Sequence, residues 1–130
     1  MKLRNLHLLI GLAVVILFIL TGQWMKYHHI AETVDRIRFS IRANHLYILF
    51  FGLINLAAGT RQLFDGDKWR TRLLSVSSFL MLTATAVVII AFFYEDKMAK
   101  GRPLVLASVI LGSLGVIIQA LTGLKRQANS

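Results

Sequence analysis

The chain has 130 residues, of which 56% are hydrophobic, and fifteen Lys and Arg against six Asp and Glu give a net charge of +9. Most of the length lies in four apolar stretches, roughly 6–22, 44–60, 73–94 and 103–124, none of which contains Asp or Glu. This leaves no room for a soluble domain, and zero cysteines exclude disulfides, thiolate metal sites and cysteine-borne lipid anchors.

A bilayer core about 30 Å thick needs roughly 20 apolar residues in a helix. The last two stretches reach that length, while the first two must tilt, thin the membrane or use their polar ends. The basic residues sit at the ends of the stretches, where lipid head groups meet them, so the charge points to a membrane and not to nucleic acid. The expected fold is all-α: four transmembrane helices in one compact left-handed bundle, residues 1–130, with an interfacial amphipathic helix between helices one and two.

In the first span, Lys2 and Arg4 precede the apolar run, as in a secretory signal. The exit Leu20-Thr21-Gly22-Gln23 has no small residue three before a plausible cut, so a retained helix is expected. Gly11, Phe18 and Gly22 mark the side of it that another helix face could meet.

The connection 26–42 is too long for a simple hairpin. Tyr27, Ile30, Val34, Ile37 and Ile41 recur every three or four residues, which predicts an apolar helix face. His28, Glu32 and Asp35 fall opposite, and Lys26, Arg38 and Arg42 flank the stripe, where long side chains reach head groups. Trp24 and Tyr27 suit the aromatic belt at that level. The alternation Ile37, Phe39, Ile41 is the competing signal, for a short strand.

In the second span His45, Ile48, Gly52, Asn55, Gly59 and Gln62 share one helix face. The fourth span repeats the pattern with Ser108, Gly112, Gly115, Gln119 and Thr122. Helices in lipid associate over small residues and by interhelical hydrogen bonds, so both faces should point inward, toward each other or toward span one. The three–four spacing predicts left-handed crossings near +20°. The third span is mostly aliphatic, with Ser75, Ser78 and Thr85 on one side, and is expected to be the most lipid-exposed. Asp65-Gly66 marks a turn before it, with Asp67 placed to cap the helix, and Pro103 marks the start of the fourth.

Chemistry is sparse. His28, His29 and His45 gather on one side of the membrane, and neutral imidazole ligates haem iron or other transition metals. Haem b held by His45 with His28 or His29 is one reading, and a divalent metal on His28, Glu32 and His45 is another. A third is a small channel or carrier lined by His45, Asn55 and Gln119. All six acids lie in connections, and there is no Ser/His/Asp arrangement and no phosphate loop.

Small four-span transporters part from this chain at specific positions. A proton-coupled multidrug exporter needs a carboxylate in the first span, and a fluoride channel needs a Thr- and Ser-rich break with paired Phe in the third. Neither is present at 6–22 or 80–88.

The expectation is a non-catalytic integral membrane protein, a subunit, scaffold or accessory factor, without a cofactor. Its partners would be the lipid bilayer and a membrane protein or a second copy of itself. With the termini inside, eight basic residues fall on the cytoplasmic side and seven on the other. The difference leans to cytoplasmic termini in a bacterial inner membrane, and an antiparallel dual-topology dimer stays open.

Overall fold

The computed structural model describes residues 3–28, 34–60, 68–95 and 101–127, the last five without side chains. The chain forms α1 (Leu3–Tyr27), α2 (Asp35–Thr60), α3 (Lys68–Tyr94) and α4 (Pro103–Gln127). All four are long and apolar enough to cross a membrane. With 25, 26, 27 and 25 residues they exceed the apolar stretches read from composition, because each continues into polar flanks. At about 1.5 Å per residue the first two reach beyond 30 Å without thinning the bilayer.

The order is up-down-up-down. Gly11 meets Leu56 and Gly52, and Gly59 meets Leu8, so α1 and α2 run antiparallel. Gly115 faces Met81 and Ser77, and Gly112 faces Ala84, so α3 and α4 do too. Asn55–Thr85 and Asn44–Ala91 contacts join α2 to α3 in the same sense. One end of the bundle therefore carries the start of α1 and the finish of α4. The other carries Tyr27, Asp35, Tyr94 and Pro103.

The glycine face of α2 turns toward α1, one of the two expected directions, while on α4 Gly115 turns toward α3 and Gly112 meets both α3 and the Phe51 ring of α2. A Cβ on Gly11 would lie 2.8 Å from the Leu56 backbone nitrogen, which is backbone-to-backbone approach. Phe51 crosses from α2 and presses its ring edge into the notch left by Gly112, filling space that a side chain would take. With no hydrophobic drive between helices in lipid, such close packing carries the association.

Helices α2 and α3 form the centre. Of their most apolar windows 44% is buried in each, against 17% for α1 and 22% for α4. The expectation that the third span faces lipid is therefore overturned. Ser77, Ser78, Met81, Ala84, Thr85, Val88, Ala91 and Phe92 are all buried, because the small residues among them admit a helix on either side. It is α1 that exposes a row of aliphatic side chains, Leu9, Leu12, Ile16, Ile19 and Leu20.

The connection 26–42 is divided. To Tyr27 it belongs to α1, and from Asp35 it is the first turns of an unbroken α2, with Arg38 bonded to Asp35. The strand alternative at 36–42 is likewise overturned: propagation from the long span outweighs the local alternation of β-branched and aromatic residues. His29, Ile30 and Glu32, residues 61–67 with the expected Asp65-Gly66 turn and Asp67 cap, and residues 96–100 lie outside the described residues.

At the connection between α3 and α4, Pro103 opens α4 as read, after Gly101 in a left-handed conformation (φ 80°). The cap comes from the preceding helix. Glu95, only 2% exposed, accepts from the backbone N–H of Leu104 and of Val105, satisfying donors that an α-helix leaves open. Its negative charge also faces the positive end of the helix dipole. Glu95→Ala should cost about 1–2 kcal/mol, the range of a lost helix cap. The loss would be read by SDS titration in mixed micelles, with Glu95→Gln falling between the two.

Candidate functional site

Asn55 is the polar hub of the bundle. It is fully buried on α2, and its amide nitrogen donates to Phe51 O at 2.8 Å and to Thr85 Oγ1 at 2.7 Å. Thr85 Oγ1 passes its own proton to Met81 O at 2.8 Å. Both amide protons of Asn55 are thus used, and Oδ1 is left facing His7 Nδ1 at 2.7 Å. An amide oxygen only accepts, so Nδ1 carries the proton and Nε2 is a lone pair. His7 is 1% exposed, and its Nε2 has no hydrogen-bond partner. Three helices are tied by one line: His7 on α1, Asn55 on α2, Thr85 on α3.

His45 sits near the other end of the α1/α2 seam, half-buried. Its ring stacks on Phe18 at a centroid distance of 4.0 Å and lies beside Gly22. Nδ1 lies 3.0 Å from Thr21 Oγ1. The Thr21 hydroxyl spends its proton on Leu17 O (2.9 Å) or Phe18 O (3.0 Å), so it accepts from His45. His45 is therefore also the Nδ1–H form, with Nε2 free of hydrogen bonds among the described residues.

The other candidates are scattered. His28 is exposed at the end of α1, stacked on Trp24 at 4.6 Å, with Nδ1 3.0 Å from the Trp24 carbonyl. It lies seven residues past Thr21, the partner of His45, which is about 10 Å along a helix axis. His29 and Glu32 are outside the described residues. Among the described residues no three His, Cys, Asp or Glu converge as a metal site would require. Gly52 packs on Val14 and Val15, and Gly59 on Leu8, as elements of helix contact.

Gln119 is nearly buried on α4 but makes no side-chain hydrogen bond among the described residues, and Asn55 spends its amide elsewhere. Between the His7–Asn55 pair and the His45–Thr21 pair the seam is filled by Gly11, Val14, Val15, Ile48 and Gly52. The two pairs are fourteen residues apart along α1, about 21 Å.

Sequence reasoning passed over His7, because its partner is an amide on another helix and not a second histidine. It also passed over a second polar group, at the end of the bundle holding Pro103. There Arg102 bridges α4 to α2, donating to Asn44 Oδ1 and to Ser40 O at 3.5 Å. Asn44 is fully buried, and its amide nitrogen lies 3.5 Å from Ala91 O on α3. No family model, no curated protein and no solved structure matches this chain.

Proposed function

We propose that this is a non-catalytic integral protein of the bacterial inner membrane, a left-handed bundle with cytoplasmic termini, acting as a subunit or accessory factor for another membrane protein. The observation that carries this reading is how the interior polar groups are spent. Asn55, Thr85, Thr21 and His45 bind one another or nearby carbonyls, which rigidifies the bundle and presents nothing to a solute. A pore along His45, Asn55 and Gln119 is disfavoured by the apolar packing that fills the seam between the first two. The aliphatic row on α1 is the natural contact for a partner helix.

A photo-crosslinker at Ile16, in native membranes, should give one discrete protein adduct, while the same group at Ala84 in the core gives none. Adducts with lipid alone, together with a monodisperse monomer after gentle solubilisation, would defeat the reading.

A second reading keeps a specific observation in its favour. His7 and His45 each hold an Nδ1–H by a fixed acceptor and leave Nε2 as a lone pair, the arrangement that orients metal-ligating histidines. They are too far apart to share an ion, so any haem or metal would rest on one of them. A visible spectrum with metal analysis of the purified protein separates the readings. A Soret band or stoichiometric metal lost in His45→Ala or His7→Ala would establish the second.

A further inference from the structure

Helices α2 and α4 touch through Phe51 and Gly112 at one level and through Arg102 and Asn44 at another. Between and beyond these contacts they leave an apolar groove of about 630 Å³, lined by Tyr47, Phe50, Ile54, Val109, Ser113 and Val116. Phe50, Ser113 and Val116 are exposed, so one side of the groove is open to the surrounding lipid. Its lining runs from Tyr47 to Ile54 on α2, about 10 Å, a third of the bilayer core. That is short for a partner helix. It suits part of an acyl chain.

The head of this groove carries a charge that no carboxylate among the described residues pairs with. Arg102 lies one turn of α2 above Tyr47, through its bond to Asn44. Its acceptors, Asn44 Oδ1 and Ser40 O, are both neutral, and its Nε is buried with no hydrogen-bond partner. Among the described residues no carboxylate pairs with it, since Glu95 faces the α4 backbone and Asp35 bonds Arg38. Arg36, Arg38 and Arg42 stand on the first turns of α2 at the same end. A half-buried guanidinium at the level of the head groups, with an apolar groove leading from it toward the membrane centre, has the two features of a phospholipid site.

We propose that the α2/α4 cleft binds an anionic glycerophospholipid, its phosphate against Arg102 and one acyl chain in the groove beside Tyr47 and Ser113. A second copy of this chain is a poorer occupant, because its described acids are already engaged. The inference does not depend on the partner reading above, which uses the outer face of α1.

The test is native mass spectrometry of the delipidated full chain with equimolar phosphatidylglycerol and phosphatidylcholine of identical acyl chains. The wild type should retain the anionic lipid about five-fold over the zwitterionic one, the factor a single Arg supplies at a charged membrane surface. Arg102→Gln should bring the ratio to about one, and Arg102→Lys should hold it near the wild-type value. Ser113→Phe, which fills the groove from its exposed side, should lower retention of both lipids with the circular dichroism of the helices unchanged. Equal retention by the wild type, a preference that survives Arg102→Gln, or indifference to Ser113→Phe would each overturn the site. If Arg102→Gln fails to fold, the wild-type ratio and Ser113→Phe still decide it.

Discussion

Gly11→Leu is expected to part α1 from α2. A Cβ at Gly11 already meets the Leu56 backbone nitrogen at 2.8 Å and the Gly52 carbonyl at 3.0 Å, and backbone of a neighbouring helix cannot rotate away. The axes must separate, which also stretches the His7–Asn55 and His45–Thr21 bonds above and below. Overpacking in a tight core typically costs 1–3 kcal/mol, and the loss here should reach about 3 kcal/mol. Gly22→Ala is the control on the same helix, since its Cβ would stand 3.4 Å from the edge of the His45 ring. It should change stability by under about 0.5 kcal/mol, as surface-like substitutions do. SDS unfolding in mixed micelles, followed by helix signal, reads both. Equal effects of the two changes would mean that the α1/α2 seam is not the tight contact described.

Asn55→Leu should be the most damaging change among the polar residues. The side chain joins three helices, and its loss removes the bonds to His7 and Thr85 together. A hydrogen bond between membrane helices averages about 0.6 kcal/mol, but a buried donor left unpaired adds about 1–3 kcal/mol. His7 would then have both ring nitrogens unsatisfied in an apolar environment, so a total near 2–3 kcal/mol is expected. The diagnostic is the double variant His7→Phe with Asn55→Leu. Removing both partners should recover a large part of the loss, because an apolar pair leaves nothing unsatisfied. Gln119→Leu, which removes no hydrogen bond among the described residues, should have far less effect than Asn55→Leu. Strictly additive losses in the cycle would show that His7 and Asn55 do not act as one unit.

The repeat of small and polar residues in α2 and α4 was readable because helical periodicity is local, and Gly52, Gly59, Gly112 and Gly115 do sit at helix contacts. Which contact each one serves was not readable. A glycine face reports that a backbone can approach but carries no label for the partner: Gly52 and Gly59 meet α1, Gly115 meets α3, and Gly112 meets both α3 and the Phe51 ring of α2. The third helix shows the opposite failure. Its Ser and Thr are spread thinly among aliphatics, so its pattern resembles a lipid-facing helix, yet it packs on two sides. Apolar side chains suit lipid and protein interior equally, and hydropathy in a membrane cannot separate them.

The histidines divide in the same way. Their clustering in sequence drew attention to His28, His29 and His45, while the most deeply held imidazole among the described residues is His7. Glu95 and Arg102 looked like parts of a polar connection, and folding turned one into a helix cap and the other into a bridge between helices.

From the sequence alone follow four helices long and apolar enough to cross a membrane and the start of α4 at Pro103, because apolar length and proline stereochemistry act within a segment. The tertiary structure alone decided that α2 and α3 are central, that Asn55 binds His7 and Thr85, and that an open apolar groove lies between α2 and α4. Those depend on side chains thirty or more positions apart meeting in an environment where packing and hydrogen bonding, not hydrophobicity, choose the neighbours.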